Sequence, residues 1–338
     1  MRAVFRVDGG REVGLGHLVR STALAAALAE RGVEPAFATV SPEAARWLAE
    51  RGREVVRLAA MPGGPEDAAA VADLVRRRDA RLVVTDGYAF REEYLGRLAA
   101  TPARLVSIDD LAAWPFPSAL VVNGGLAALS LRYDVGPSTR LLLGPDYLLL
   151  RPEFRRSPVE IRAEAERVLA CFGGADPDDH SGLLLDMWVR LGRPPALEIV
   201  VGHAYGAERT ARLQVRAAER GARVSVDLDA AALVRLAASS DLAVVSAGMV
   251  ACETAALGLP MLLAIVSHDQ RANAAALAAC GAGRLVEPFS SESVVAALRG
   301  AIADAGARRE MALAARGLVD GRGTERVAEA VLALVTAP

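Results

Sequence analysis

The chain has 338 residues, 53% of them hydrophobic and 24% charged. This balance excludes a disordered chain and allows two packed cores of about 150 residues each. The formal net charge is -2, and all 39 cationic residues are arginines spread among 41 acidic ones, so no nucleic-acid surface is expected.

The opening residues lack the apolar core of a signal peptide, and no run reaches the roughly 18 apolar residues of a membrane span, which predicts a cytoplasmic protein with no membrane partner. Ala3 to Val7 reads as a buried strand, and Leu18 to Arg31 as a helix. Between them, Val7 to Arg20 is a loop with glycines at positions 9, 10, 14 and 16. Glu34 to Val40 reads as a strand, Pro42 to Arg51 as a helix, Glu54 to Leu58 as a strand and Glu66 to Arg78 as a helix. The strands Arg81 to Asp86 and Arg104 to Asp109 each end in an aspartate, and Ala119 to Asn123 and Arg140 to Gly144 are shorter strands. Tyr147 to Ser157, with Pro152 inside it and Pro158 just after, reads as the linker.

A second unit restarts at Arg167 to Phe172, a strand ending in Gly173-Gly174 much as the first ends in Gly9-Gly10. A helix from Asp179 to Leu191, the strand Leu197 to Val201, a helix from Ala207 to Arg220 and the strand Arg223 to Val226 follow. Asp241 to Val245 leads into Ser246-Ala247-Gly248, which opens a helix through Leu257, and Met261 to Val266 is the last strand before three Ala-rich helices. The alternation predicts an α/β protein of two Rossmann-like domains, residues 1–155 and 156–322, with a closing helix in 323–338. Cys171, Cys252 and Cys280 are widely spaced in apolar sequence and read as buried thiols.

Parallel sheets bind ligands beyond the carboxyl ends of their strands, so Asp8, Asp86, Asp109 and Asp110 are expected at one rim. Short carboxylates also cap turns and helices, and that reading has equal standing for each except Asp8, which belongs to the glycine motif. The helix dipole near His17 disfavours an imidazolium, which predicts a neutral ring able to accept a proton near pH 7. Arg20, one turn on, reads equally as an ordinary surface charge or as a side chain within reach of phosphate or a neighbouring aspartate. No metal site is expected at Asp109-Asp110, which lack a third ligand at useful spacing. Glu253 has apolar flanks that point it away from bulk water. His180 and His203 read as solvated, whereas His268 and Gln270 follow a strand end and are better placed for ligand contact.

Asp8-Gly9-Gly10-x4-Gly14-x-Gly16-His17-x2-Arg20 is neither a dinucleotide fingerprint nor a phosphate loop with lysine. It resembles the opening of the nucleotide-sugar hydrolases of pseudaminic acid biosynthesis and the related spore-coat polysaccharide proteins. These are similar in turn to glycosyltransferases of the GT-B fold. Further matches are Asp86-x-Tyr88, Ile108-Asp109-Asp110-Leu111-Ala112, Leu143-Gly144-Pro145-x-Tyr147, Cys171-Phe172-Gly173-Gly174-x-Asp176-Pro177 and Glu253-x3-Leu257-Gly258-Leu259-Pro260.

The resemblance implies a GT-B-type fold with an interdomain cleft and a closing helix, in 323–338, that packs back on the first domain, with a UDP-sugar substrate, UDP as product and no cofactor. His17 would be the base that deprotonates water, with Tyr88 and Asp8 beside it, and Gly14, Gly16, Arg20, Asp86, Asp109 and Asn123 would form the sugar side. Gly173, Gly174, Ser246, Ala247, Gly248, Met249, Glu253 and Gln270 would hold the nucleotide, with the glutamate on the ribose and backbone amides on the diphosphate. The chain departs from the pattern at Met249, where a hydroxyl residue is usual, at Ala113-Trp114-Pro115, and at Gly124-Gly125 after Asn123. A glycosyltransferase acting on an alcohol acceptor, and a nucleotide-sugar-binding protein without turnover, are the alternative readings.

Overall fold

Alternation within strand β1 (Arg2–Val7) sorts the two faces of the first sheet in this computed structural model, which describes residues 1–10, 14–155, 159–268 and 270–336. Side chains on a strand point to opposite faces in turn. Ala3, Phe5 and Val7 enter one core, and Val4 enters another. The elements that follow are α1 (Gly16–Ala29), β2 (Glu34–Thr39), α2 (Pro42–Glu50), β3 (Val55–Arg57), α3 (Pro65–Arg77), β4 (Leu82–Asp86), α4 (Glu92–Ala99), β5 (Arg104–Ile108), β6 (Leu120–Asn123) and β7 (Arg140–Leu143). Helices α1 and α2 pack in the Phe5 core, and α3 and α4 in the Val4 core. The seven strands are parallel in the order β3-β2-β1-β4-β5-β6-β7. Connections run outward in both directions from the β1/β4 junction, which makes it the topological switch point.

The second sheet repeats the plan with β8 (Arg167–Cys171), α5 (His180–Trp188), β9 (Ala196–Val201), α6 (Ala207–Glu219), β10 (Arg223–Val226), α7 (Ala230–Ala238), β11 (Leu242–Ser246), α8 (Met249–Leu257), β12 (Met261–Ala264), α9 (Gln270–Ala279), β13 (Arg284–Leu285), α10 (Ser291–Ala303) and α11 (Ala305–Leu318). Its parallel order β10-β9-β8-β11-β12-β13 puts the switch point at β8/β11. The last helix, α12 (Gly323–Thr336), contributes Val327, Ala328, Val331 and Val335 to the Phe5 core. The chain thus divides into unit 1, Met1–Arg151 with Arg322–Pro338, and unit 2, Pro152–Gly321.

Several expectations change. The division falls at Arg151/Pro152 rather than at residue 155, and the end of the expected linker, residues 156 and 157, lies outside the described residues. Four helices rather than three follow β12, and α4, α7 and β13 emerge where the sequence pattern was too short or too alanine-rich to mark them. Asp229 caps α7 by accepting from the Ala232 amide at 2.7 Å, a short-range signal that was present in the sequence. His180 is buried against Phe172 and Phe289 instead of solvated, and the side chain of His203 is outside the description. Cys280 is exposed, because it sits at the end of α9 where the chain turns at Gly281. No helix among the described residues is long and apolar enough to cross a membrane.

The second face of β1 also carries Arg6, which is fully buried. Its guanidinium donates to both carboxylate oxygens of Asp67 in the first turn of α3, from Nε at 2.8 Å and Nη2 at 2.7 Å. The Tyr94 hydroxyl and the Gly63 amide donate to the same carboxylate, and Phe90 stacks over the guanidinium carbon at 4.8 Å. A buried charge without its partner is costly, so Asp67→Ala is expected to lower unit 1 stability by about 3–5 kcal/mol, whereas the double change Arg6→Met with Asp67→Leu costs less. Urea unfolding of the three proteins checks this, and a double variant no more stable than the single one refutes it.

Burial pushes the Cys252 thiol up to about 11, and Cys171 is buried as well. An aromatic disulfide reagent near pH 8 should therefore label Cys280 rapidly and the other two only on unfolding. Rapid loss of two or three thiols in the native protein would contradict that assignment.

Candidate active site

Register at the first switch point places the site. Val7, the last residue of β1, pairs with Asp86, the last residue of β4, so the loop entering α1 meets the end of β4. Gly10 and Gly14 close that loop through reciprocal backbone bonds of 3.1 and 2.8 Å, and residues 11–13 of the motif lie outside the described residues. Gly14 has a φ of +80°, which L side chains rarely adopt, and both Gly14 and Gly16 border open space. Among the described residues no side chain intrudes on the space these two glycines leave.

His17, in the first turn of α1, is buried to 6% exposure, and its Nδ1 lies 2.7 Å from Asp86 Oδ1. Asp86 is 1% exposed and also accepts from the Ser21 hydroxyl at 2.9 Å and from Arg20, whose Nη2 is 2.6 Å from Oδ1. Arg20 then reaches Asp110, with Nη1 to Oδ1 at 2.7 Å and Nη2 to Oδ2 at 2.9 Å. Tyr88 closes the chain, its hydroxyl donating to Asp110 at 3.2 Å and its ring meeting His17 edge-on at 4.8 Å between centroids.

Charge fixes the protonation of this network. Burial alone would push the Asp86 carboxyl up, but the charge of Arg20, with the hydrogen bonds from Arg20 and His17, holds it well below the usual carboxylate range. Asp110 is likewise lowered, burial being outweighed by Arg20. Arg20, despite burial, is held above its ordinary value by Asp110 and Asp86. An ionised Asp86 can only accept, so the His17 Nδ1 must carry the proton that lies between them. The 3.0 Å approach of Arg20 Nη2 to the same Nδ1 is then a close contact and not a hydrogen bond. Nε2 is left as the basic nitrogen, and it has no hydrogen-bond partner among the described residues. The Arg20 guanidinium thus bridges Asp86 and Asp110.

Other expected residues take supporting positions. Asp8 is ion-paired to Arg6 at 2.7 Å and accepts from the Thr39 hydroxyl at 2.7 Å and the Val40 amide at 2.9 Å, so it ties β1 to the end of β2. The structure shows no hydrogen bond from Asp8 to His17 among the described residues. Asp109 accepts from the Leu111 and Ala112 amides at 2.9 and 2.7 Å and shapes the turn that presents Asp110. Asn123 donates to the Tyr133 hydroxyl at 2.9 Å, and that hydroxyl donates to Asp109 at 2.8 Å. Burial and the Asp109 charge push the Tyr133 hydroxyl up, so it remains a donor. Tyr133, Ser21 and Arg6 were not legible as site residues, since each acts through a partner far away in the sequence.

At the second switch point Gly173 has a φ of +92°, and a Cβ on Gly202 would stand 2.5 Å from the Gly174 Cα, so the loops after β8 and β9 touch backbone to backbone. Asp176 accepts from the His180 and Ser181 amides, both at 2.9 Å, and thereby caps α5. Among the described residues no side chain caps α8, whose N-cap is Gly248. Ser246 is buried, and Ala247 is held by its amide to the Ala264 carbonyl at 2.9 Å and by the Asn273 amide on its own carbonyl at 2.6 Å. Gln270 packs against Gly248 and accepts from the Val266 amide at 3.2 Å. Met249 is half-buried, and Glu253, one turn into α8, is 4% exposed.

Two Rossmann-like units with these switch points define an α/β protein of the GT-B type. MurG of Acinetobacter baumannii has a TM-score of 0.66 at 14% identity, with 98% of this chain and 99% of that one covered. The UDP-GlcNAc 2-epimerase of Neisseria meningitidis, solved bound to UDP-GlcNAc, has a TM-score of 0.63 at 11% identity over 98% of this chain and 100% of that one. At these identities the likeness is one of fold. By sequence the chain is a relative of the spore coat polysaccharide biosynthesis protein SpsG of Bacillus subtilis, 25% identical over 332 residues, 95% of this chain and 94% of that protein. No protein-family model matches the chain.

The tautomer is directly measurable. Long-range 15N–1H correlation spectra should show His17 protonated at Nδ1 and bare at Nε2, and Asp86→Asn should abolish that preference. Because the folded Asp86 value is depressed, its stabilising contribution is present above the unfolded carboxylate value of about 3.9 and is lost only as pH falls through the lower folded value. A wild-type ring protonated at Nε2 alone would contradict the arrangement.

Proposed function

We propose that the chain is a nucleotide-sugar hydrolase that cleaves the anomeric C–O bond of a UDP-activated amino or deoxy sugar, releasing UDP and the free sugar with inversion. The observation that carries this reading is the His17–Asp86 pair, which holds Nδ1 and leaves Nε2 without a hydrogen-bond partner among the described residues. In the proposed reaction Nε2 takes a proton from water while the water oxygen bonds to the anomeric carbon. The opposite C–O bond breaks, and its electron pair leaves on the diphosphate. The network of Arg20, Asp86 and Asp110 carries a formal charge of -1, so the imidazolium that forms is neutralised rather than exposed to repulsion. Tyr88, 41% exposed beside the His17 ring, is suited to positioning water or sugar.

A diphosphate is already a good leaving group and requires charge stabilisation more than a proton. We assign it to the uncapped start of α8 at Gly248 and Met249, with Gly173, Gly174, Ser246 and Ala247 shaping the surroundings, and we assign Glu253 to the ribose and Gln270 to the nucleotide. Asp176 already occupies the first amides of α5, which favours α8 as the anion site. Spore-coat polysaccharide biosynthesis in the SpsG relative, and UDP-GlcNAc in the epimerase, support a nucleotide-sugar ligand. The likeness to glycosyltransferases such as MurG favours one second reading, in which the same base deprotonates an acceptor alcohol.

Incubating the purified chain with UDP-sugars and no acceptor should release UDP and sugar in equal amounts. Release that requires an added alcohol would establish the transferase instead, and tight binding with no release under either condition would indicate a binding protein. His17→Ala should lower turnover by about 10²-fold or more with UDP affinity nearly intact, whereas Glu253→Ala should weaken UDP first.

A further inference from the structure

We propose that Asp110 is a specificity-determining residue of the His17 site, a fixed negative charge that admits neutral or amino sugars and rejects sugars bearing a carboxylate. The proposal rests on the reading of this rim as the sugar side of a nucleotide-sugar site.

The charges in the network do not cancel. Two carboxylates, Asp86 and Asp110, share the one guanidinium of Arg20, and all three of its nitrogens donate to them. Arg20 is therefore turned inward, with a side chain only 12% exposed, and it offers little to an incoming anion. Asp86 is sealed, but the Asp110 side chain is 30% exposed, so the charge a ligand meets is that of Asp110. Both carboxyls are held below, and the guanidinium above, their ordinary values, which keeps the count at -1 throughout the neutral range.

Among the described residues, the surroundings do not offset this charge. Asp109, the preceding residue, spends one carboxylate oxygen on the Leu111 and Ala112 amides and the Tyr133 hydroxyl and adds a second negative group to the same turn. Tyr88 contributes only a hydroxyl. Arg91 and Arg132, on the loops after β4 and β6, are exposed and make no hydrogen bond or ion pair with the network.

A carboxylate on the sugar ring would face Asp110 in a partly desolvated site, and like charges brought together there discriminate strongly against the wrong ligand. The same charge favours positive charge developing at the anomeric carbon and disfavours a diphosphate at this rim.

UDP, UDP-N-acetylglucosamine and UDP-N-acetylglucosaminuronate are suitable probes, because the two sugars differ only in a hydroxymethyl group against a carboxylate. Calorimetry on the full chain at about pH 7.5 should show the neutral sugar nucleotide binding at least ~10-fold more tightly than the uronate. The ratio should fall to about 3-fold or less in Asp110→Asn, persist in Asp110→Glu, and narrow as salt is raised. Equal affinities in the wild type, or an unchanged ratio in Asp110→Asn, overturn the proposal while leaving the nucleotide-sugar reading in place. Failure of UDP itself to bind overturns that reading, and the proposal with it. The wild-type ratio and its salt dependence decide the matter even if a variant does not fold.

Discussion

The carboxylate of Asp86 is the point on which the first unit's chemistry turns. It lies at the end of a central parallel strand, beside the last residue of β1, and is almost wholly removed from water. An isolated carboxylate there would be neutral, and a neutral one would leave the His17 tautomer unspecified. Arg20 prevents this, and Ser21 on the same helix adds a third donor. Three residues within five positions of one helix, His17, Arg20 and Ser21, thus converge on one acidic group brought from 65 or more residues away. The helix can make these contacts only because the glycine loop delivers its first turn over the strand end.

The two units solve the same placement problem with different materials. Each puts its distinctive residues at the one junction where a parallel sheet reverses its strand order, where the loops diverge and leave a crevice. In unit 1 the junction is filled by charged side chains that neutralise one another incompletely. In unit 2 it is lined by close-packed glycine backbone and a helix start whose N-cap residue is a glycine. One arrangement suits proton transfer, and the other suits contact with anions through main-chain amides.

Local periodicity carried most of the fold. Strands such as Arg104 to Ile108 have the apolar runs of buried parallel strands, and the glycine spacing around His17 marked the loop without ambiguity. Short elements escaped, because eight residues interrupted by Gly96, or an Ala-rich run without polar faces, leave little pattern to read. Residue roles were less legible than positions. Arg20 was equally compatible with an ordinary surface charge and with a contact to phosphate or a neighbouring aspartate, and only the β1/β4 register decided for Asp86 and Asp110. Asp8 stood within the motif, yet its oxygens are spent on Arg6 and the end of β2, partners that adjacent sequence does not reveal. Pairings such as Arg6 with Asp67 depend on which helix covers which face, and that is a property of the assembled sheet.

The return of α12 to unit 1 has a consequence for synthesis. Thr324 is tied by its hydroxyl to the Leu150 carbonyl, and Val327, Ala328, Val331 and Val335 fill the core beside Phe5, Leu24 and Leu28. Unit 2 is one uninterrupted stretch of chain, whereas unit 1 is made of its two ends. As the polypeptide leaves the ribosome, the unit begun first is the unit completed last. Its sheet can assemble early, but the face that carries α1, and with it His17, waits for α12 to cover it.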